Sequence, residues 1–239
     1  MAIYAIGDVH GCARTLDALL AAIAEDVAAH DGRPLAPSDT LVFVGDYVDR
    51  GPDSPGVLDR LLALEADAAG PDGGPAVIVL RGNHDQMMLD YALGIGDTEL
   101  WWANGGRATL DAYAARGDTR IPEAHIGLLK RTGLAYEPGG DAAGFVCVHA
   151  GLDPRRTVAD NLARPDPAVV LWTRAHLNAD LSLWERTVVC GHTPAPDPVS
   201  DPALIRIDTG ACFFDRPGLG TLTAVRLPER QFVQFSYCG

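Results

Sequence analysis

The sequence predicts an α/β fold, because short β-branched runs alternate with glycine-rich turns and with segments of helical periodicity. Most of these runs are continuously apolar, which is typical of strands buried on both faces of a sheet. The chain has 239 residues, enough to bury a substantial core without disulfides. We therefore expect a single domain over residues 1–239.

The segments predicted as strands are short, and most are rich in β-branched residues. They are Ile3–Ile6, Thr40–Val44, Ala76–Leu80, Gly144–Val148, Thr187–Cys190, Ile205–Ile207, Thr221–Arg226 and Gln231–Ser236. Between the first strands, Arg14–Ala29 carries apolar side chains at helical spacing and is predicted to be an amphipathic helix packed on a sheet. Ser54–Ala66 follows the same pattern, with Pro55 in a favourable first-turn position.

Residues 86–140 are the least strand-like part of the chain. Helical patterns are present around Gln86–Leu93 and Thr98–Ala115. We expect this region to form a helical insertion that borders the candidate site.

Composition and charge exclude several classes of protein. The formal net charge of −13 disfavours binding to a nucleic-acid backbone, which depends on Lys and Arg replacing condensed counterions. No stretch is long and apolar enough to span a bilayer, and the first residues lack the features of a secretory signal. Five scattered cysteines fit reduced thiols better than a disulfide framework. We therefore expect a cytoplasmic protein that binds neither nucleic acid nor membrane.

Five short polar motifs stand at the predicted strand ends. They are GDVHG (7–11), GDYVDRG (45–51), RGNHD (81–85), HAG (149–151) and GHT (191–193). Loops that leave strand ends at one edge of an α/β sheet converge on a common crevice. Each motif alone is a weak indication, but together they predict a shared site with oxygen and nitrogen donors, which suit Mn, Fe or Zn.

In this order, the motifs resemble the signature of the PPP-type calcineurin-like metallophosphoesterases. That family includes protein Ser/Thr phosphatases and bacterial diadenosine tetraphosphate hydrolases, and the resemblance covers residues 7–193. It implies a metallophosphoesterase fold with two packed mixed β-sheets flanked by helices. It also implies two divalent metal ions, with Mn as the first expectation and Fe, Zn, Ni and Co as alternatives.

The resemblance further implies a set of metal ligands. Asp8 and His10 would bind one ion, and Asp46 would bridge both ions. The ligands that complete the second ion would be Asn83, His149 and His192. A carboxylate suits the bridging position because it offers two oxygens to two cations. Two such cations, about 3.5 to 4 Å apart, can share and acidify a water and stabilise both oxygens of an in-line displacement.

The same resemblance implies the residues that act on the substrate. His84 protonates the leaving oxygen and Asp49 holds it in place, since a carboxylate favours the charged imidazole. Arg50 presents a planar fork to two phosphate oxygens, a geometry that Lys cannot reproduce. Arg174, in the segment LWTR, is similar to a second phosphate-binding arginine.

Two activities share this site and differ in the substrate pocket. The first expectation is a Ser/Thr-type protein phosphatase or broad phosphomonoesterase, acting on a phosphorylated protein, peptide or small molecule. The alternative is a dinucleoside polyphosphate hydrolase, which would need contacts for a base and for a chain of phosphates. A catalytically silent binding protein of the same fold is the minor alternative. The few scattered basic residues of 86–140 do not decide between the first two, and the oligomeric state stays open.

Several other residues carry weaker indications. Trp101, Trp102 and Asn104 could form part of a substrate rim or simply a packed core with a turn. Asp208 follows a strand and resembles a position that supports metal ligands. Asp85 stands where many relatives have Glu, a difference that bears on the support around His84. Three histidines outside the motifs are expected to be structural or solvated: His30, His125 and His176.

Overall fold

The computed structural model describes residues 1–71 and 73–239, whose strands form two five-stranded mixed sheets. The strands of the first sheet, in the order β10-β9-β1-β2-β3, are β1 (Ile3–Ile6), β2 (Thr40–Phe43), β3 (Ala76–Val79), β9 (Thr221–Leu227) and β10 (Gln231–Ser236). Those of the second sheet, in the order β4-β5-β6-β8-β7, are β4 (Ala135–Tyr136), β5 (Phe145–Val148), β6 (Thr187–Cys190), β7 (Val199–Ser200) and β8 (Leu204–Arg206). The predicted α/β fold with two packed mixed sheets is confirmed.

Each sheet contains three adjacent parallel strands, with antiparallel strands on one side of them in the first sheet and on both sides in the second. In the first sheet, β1, β2 and β3 are parallel, with Ile6 opposite Phe43 and Phe43 opposite Val79. In the second sheet, β5, β6 and β8 are parallel. All of these strands therefore direct their carboxyl ends to one edge of their own sheet, where the polar motifs follow.

Alternation along the strands divides the apolar side chains between separate cores. In β1, Ile3 and Ala5 belong to the core between the sheets, together with Cys147 of β5 and Val189 of β6. The intervening Tyr4 belongs to the core under the helices on the outer face of the first sheet. Burial on both faces explains why these strands read as continuous apolar runs.

The helices cover the sheets and build the insertion. Their bounds are α1 (Ala13–Asp31), α2 (Ser54–Ala68), α3 (Asn83–Leu93), α4 (Thr98–Trp101), α5 (Arg107–Ala115), α6 (Glu123–Arg131), α7 (Val158–Ala163) and α8 (Pro167–Trp172). The predicted amphipathic face of α1 is buried, and the helix ends where Gly32 adopts the left-handed conformation. Within the described ranges, no helix combines the length and the apolar character needed to cross a bilayer.

The insertion is helical as predicted, with one consequential difference at its start. α3 begins at Asn83 rather than at Gln86, so Asn83 and His84 lie in its first turn. Asp85 explains the earlier start, because its carboxylate accepts the N–H of Gly82, the residue that precedes the helix. The first turn buries polar side chains and therefore shows no apolar periodicity in the sequence.

Candidate metal centre

The polar motifs converge at the carboxyl edges of the parallel strands. Asp8 and His10 follow β1, Asp46 follows β2 and Asn83 follows β3, while His149 follows β5. The remaining expected ligand, His192, follows β6. All six side chains belong to buried residues. The structure thus brings the expected ligands of both sheets to one place, as the strand-end argument predicts.

Asp46 lies between two histidines that follow strands of different sheets. Its Oδ2 is 3.5 Å from Nε2 of His10 and 3.5 Å from Nε2 of His149. Its other oxygen, Oδ1, accepts the backbone N–H of His84 at 2.9 Å, which fixes the orientation of the carboxylate. A single oxygen that faces two imidazole nitrogens is suited to a position between two cations.

On one side of Asp46, acceptor atoms face one another. Asn83 Oδ1 lies 3.0 Å from Nε2 of His149 and 2.9 Å from Nδ1 of His192. Nδ1 of His149 lies 3.1 Å from the carbonyl oxygen of Val44, which can only accept, so Nδ1 carries the proton and Nε2 keeps its lone pair. An amide oxygen, a ring lone pair and the Asp46 carboxylate therefore converge. Such a donor set fits a divalent metal ion.

On the other side of Asp46, His10 is oriented in the same way. Its Nδ1 lies 2.7 Å from the carbonyl oxygen of Val48, so its Nε2 lone pair is directed toward the centre. Asp8 accepts the backbone N–H of His192 through Oδ2 at 2.9 Å, whereas its buried Oδ1 has no hydrogen-bond partner among the described residues. A buried carboxylate oxygen without a donor fits a metal ligand, because leaving it unpaired is costly.

The donor atoms that lie within 4.8 Å of one another form two groups that share Asp46. One group is Asp46, His149 and His192, and the other is His10, Asp46 and His84. The first agrees with the expected ligands of one ion. The second contains His84, expected as the proton donor, and does not include Asp8.

Burial favours the neutral form of three candidate ligands, His10, His149 and His192. It lowers the pKa of His10 and of His149, although the Asp46 carboxylate acts in the opposite direction. Burial, followed by the influence of His149, lowers the pKa of His192 to about 3. Neutral imidazole is the form that coordinates a metal ion, so no proton has to be displaced from these rings near neutral pH.

His84 and Asp49 form a buried hydrogen-bonded pair beside the candidate ligands. Nδ1 of His84 lies 2.7 Å from Oδ2 of Asp49, and both side chains are almost completely buried. Asp49 also accepts the indole N–H of Trp101 at 2.8 Å and the hydroxyl of Thr109 at 2.8 Å. Its carboxylate is therefore held at three points, and its position fixes the tautomer and direction of the His84 ring.

Trp101 and Thr109 contribute to the site through hydrogen bonds to Asp49 that the sequence did not predict. Trp101 was expected either at a substrate rim or in the core, and the structure buries it completely with its indole N–H on Asp49. Thr109 had no assignment, although it also accepts, through Oγ1, the backbone N–H of Asp49 at 2.9 Å. The helical insertion thus borders the site as predicted and supports Asp49 directly.

Arg50 links the two histidines of this side of the centre. Its guanidinium nitrogens lie 2.6 Å from Nε2 of His10 and 2.7 Å from Nε2 of His84. Its backbone N–H donates to the carbonyl oxygen of Gly105 at 3.3 Å. Gly105 has a φ of 107° and forms a turn within the insertion. Arg50 therefore points its planar fork toward the place where the expected ligands converge.

Backbone strain is concentrated at the centre. Among the residues that the structure describes, six non-glycine residues adopt positive φ, and five belong to the site motifs: His10, Asp46, Asp49, Arg50 and His192. Such conformations are costly and persist only where the surrounding structure enforces them, often at functional sites. Glycine serves close approach here as well, since a Cβ at Gly191 would lie 1.9 Å from Oδ1 of Asp8.

Two further buried carboxylates lie beside the expected ligands. Asp85 accepts the backbone N–H groups of Asp46 and Tyr47 at 2.8 and 2.9 Å, so it supports Asp46, the expected bridging ligand, more directly than it supports His84. Burial and the Asp46 charge raise the pKa of Asp85 to about 7. Asp208 is buried near Asp8, and its carboxylate accepts the N–H of Gly210 at 2.9 Å. Asp85 therefore holds the segment that carries Asp46, whereas Asp208 fixes the turn that follows β8.

Arg174, the second arginine expected to bind phosphate, makes none of the contacts described above. Arg174 is exposed, two residues after the end of α8. Its charge contributes to the lowered pKa of His149 and of His192, although burial is the main cause for both. Arg174 is therefore within electrostatic reach of the centre and free to meet a ligand from solvent.

Histidines and cysteines outside the motifs behave as expected. His125 is buried between the hydroxyl of Tyr113 and the carboxylate of Asp59. His176 is buried and stacks on Trp184, whereas the His30 side chain is half exposed. The five cysteines are free thiols.

Comparison with known proteins identifies the family. The calcineurin-like phosphoesterase family matches residues 1–218. A symmetrical bis(5′-nucleosyl)-tetraphosphatase from Ralstonia nicotianae is 38% identical over 159 residues, which are 66% of this chain and 45% of that protein, so the match spans about half of its length. An asymmetrical bis(5′-nucleosyl)-tetraphosphatase from Bacillus thuringiensis is 28% identical over 244 residues, covering 95% of this chain and 91% of that protein.

A solved structure agrees with this assignment at the level of the fold. The protein serine/threonine phosphatase from Saccharomyces cerevisiae superposes with a TM-score of 0.64 at 19% identity, over 100% of this chain and 81% of that chain. Because the family match spans most of the sequence and the strand-end motifs converge at one place, the chain belongs to the calcineurin-like phosphoesterase family.

Proposed function

We propose that the chain hydrolyses dinucleoside polyphosphates, such as a bis(5′-nucleosyl) tetraphosphate. The observation that carries this proposal is the match over 95% of the chain to a tetraphosphatase of similar length. The shorter match to a second tetraphosphatase supports the same substrate class. The relatives thus favour the alternative drawn from the sequence over the protein-phosphatase expectation, to which the yeast structure adds only a shared fold.

We also propose the ligand set of the two divalent ions. Asp8, His10 and Asp46 would hold one ion, and Asp46, Asn83, His149 and His192 the other. The 3.5 Å distances from Asp46 Oδ2 to two histidines support its bridging role, and the unpaired Oδ1 of Asp8 supports its inclusion. When bound, such a metal pair supplies positive charge and an activated water. Mn is the ion we would test first, because oxygen and neutral nitrogen donors suit it.

The side chains around this pair would bind the phosphates and move one proton. Arg50 is directed at the centre and would hold a phosphate oxygen pair, and the exposed Arg174 would meet a neighbouring phosphate. In the structure Nε2 of His84 accepts from Arg50, so His84 would act in its doubly protonated form, donating the Nε2 proton to the leaving oxygen while Asp49 holds the opposite ring nitrogen. With a net charge of −13, the chain depends on these local positive groups to attract an anionic substrate.

The leaving group distinguishes the two activities at this shared site. A serine alkoxide is a strong base and needs a proton as it leaves, whereas a phosphate that leaves from an anhydride is a much weaker base. His84 would therefore contribute more to the hydrolysis of an alkyl phosphate than to that of a dinucleoside polyphosphate. Comparing the two substrates in a His84 variant therefore measures how much proton donation by His84 contributes to the rate.

The two sheets support one further proposal, that residues 1–239 fold as one domain. Side chains from both sheets, such as Ala5 and Val189, share a single core. The candidate ligands also come from both sheets, so separating them would divide the site.

The proposed activity can be tested with purified protein supplemented with Mn. Diadenosine tetraphosphate and a phosphothreonine peptide are compared at equal concentrations, with chelated protein as the control. We expect faster turnover of the dinucleotide, with two ADP as products of symmetrical cleavage or ATP and AMP as products of asymmetrical cleavage. Faster turnover of the peptide would contradict the proposal and restore the protein-phosphatase expectation.

A further inference from the structure

A large aromatic side chain is exposed next to the candidate metal centre. In the helix α8, Val170 and Leu171 are buried, but the following Trp172 is 40% exposed. Its ring centroid lies 6.3 Å from that of His192, and the two ring planes are nearly perpendicular. The exposed part of this ring offers a planar apolar surface, beside a polar centre, on which a planar part of a ligand can stack.

Trp172 differs from the other aromatic rings near the centre. The ring of Trp102 is covered by the guanidinium of Arg107 at 4.5 Å. The ring of Phe213 has the guanidinium of Arg216 at 4.2 Å, and that of Trp101 is fully buried. Those rings are already occupied by protein groups, whereas much of the Trp172 surface faces solvent.

The surroundings of Trp172 match the two parts of a nucleotide. Toward the centre, it contacts His192, which lies against Asn83 and His149. Two residues along the chain, Arg174 is exposed and acts electrostatically on both histidines. A phosphate at the centre would place its nucleoside outside it, beside a ring on which any base can stack and near a guanidinium that binds a neighbouring phosphate.

We propose that Trp172 is a stacking platform for a nucleobase of the substrate, on the His192 side of the metal centre. The proposal rests on the proposed function, since it assigns the recognition of a nucleoside polyphosphate to a named side chain. It also distinguishes that class from a phosphopeptide, which brings no planar base to this position. Trp172 thereby sets substrate preference and takes no part in bond cleavage.

Kinetics with matched substrates test this assignment. Trp172→Ala should raise the KM for diadenosine tetraphosphate roughly 5- to 100-fold, the range expected for one stacked base, with little change in kcat. The same variant should keep its KM for phosphoserine, which carries no base. Trp172→Phe should restore most of the affinity because a planar ring is kept. Leu183→Ala is a matched control, since Leu183 is also an exposed apolar side chain but precedes β6, at the opposite end from His192.

A binding measurement gives an answer that does not depend on turnover. The chain has four tryptophans, and stacking of adenine on Trp172 should quench part of their fluorescence. In Mn-loaded protein, methylene-bridged ADP should quench the emission saturably, whereas methylenediphosphonate, which lacks the nucleoside, should not. Trp172→Phe should bind the nucleotide without this quenching, because it removes the reporting ring.

The outcomes separate this proposal from the function on which it rests. If the wild-type protein cleaves the dinucleotide and Trp172→Ala leaves its KM unchanged, the stacking assignment is wrong and the function stands. If the protein prefers the phosphopeptide but methylene-bridged ADP still quenches Trp172, the base site stands and the proposed function fails. Nucleotide quenching that persists in Trp172→Phe would overturn the assignment whatever the substrate.

Discussion

The indole N–H of Trp101 donates to Oδ2 of Asp49 at 2.8 Å, and the same oxygen lies 2.7 Å from Nδ1 of His84. One carboxylate oxygen thus joins the helical insertion to the proposed proton donor. Because Asp49 is fully buried, each donor on it both stabilises its charge and limits its rotation. The insertion is therefore a structural support of the site as well as its border.

Trp101→Phe should weaken this support while keeping an aromatic ring in place. Loss of one hydrogen bond to a buried charged group should lower the free energy of unfolding by about 1–3 kcal/mol, measured by urea denaturation. Turnover of an alkyl phosphate should fall roughly 10-fold, as for other groups that orient a functional histidine. Trp102→Phe is the control, since the buried Nε1 of Trp102 has no hydrogen-bond partner within the described chain. Equal effects of the two variants would show that ring packing, and not the bond to Asp49, matters.

Asp46→Asn should disrupt both metal positions at once, because Oδ2 of Asp46 faces His10 and His149 equally. Outer groups around metal ligands typically contribute 10- to 100-fold, so the loss of a bridging carboxylate should reduce turnover by more than roughly 100-fold. Elemental analysis should find fewer than two Mn ions per chain. Removal of Mn by a chelator should abolish turnover while circular dichroism shows the fold retained. The exposed Asp111 provides a control as Asp111→Asn, and a variant of Asp46 that binds two ions with full activity would refute the bridging role.

His84→Asn should affect substrates according to their leaving groups. Hydrolysis of a phosphoserine peptide, whose alkoxide needs a proton, should slow by roughly 10²- to 10⁴-fold, the usual contribution of a general acid. Hydrolysis of diadenosine tetraphosphate should slow much less, because phosphate leaves without protonation. Rates with a series of phenyl phosphates of increasing leaving-group acidity would measure the trend. Equal slowing across the series would argue against proton donation by His84.

The Asp39 carboxylate should make stability depend on pH far from the site. Burial alone would raise the pKa of Asp39, but the bidentate Arg33 guanidinium, at 2.6 and 2.7 Å, and the N–H groups of Ala2 and Ala36 lower it to about 2. Since this value lies below the unfolded pKa of about 3.9, the stabilisation is present above pH 4 and is lost as the pH falls toward 2.

Asp39→Asn therefore should destabilise the protein at pH 7 and have a much smaller effect near pH 2. Urea denaturation of both proteins at several pH values gives the free energies of unfolding to compare. A difference between the two proteins that stays constant with pH would mean that the Asp39 charge does not contribute. Asp67→Asn, on the last turn of α2, provides an aspartate control away from this ion pair.

Local sequence determined most of the strands, the first two helices and the residues that gather at the strand ends. Strands buried on both faces are continuous apolar runs, so β1, β2, β5 and β6 could be recognised without a partner. Parallel strands share one carboxyl edge, and for this reason Asp8, Asp46 and His149 could be expected to meet. The two-residue strands β4 and β7 are too short to show any period, and they were missed.

Tertiary structure decided which groups support the site and how the ligands face one another. Trp101 and Asp49 are 52 residues apart, and no local pattern records a hydrogen bond between them. The start of α3 at Asn83 depended on the Asp85 carboxylate and on the polar groups that it satisfies. The sequence alone determined the chemical types of the side chains and the strand ends that carry them. Their distances, their burial and the support from the insertion arise only when both sheets pack, because those contacts join segments far apart in the chain.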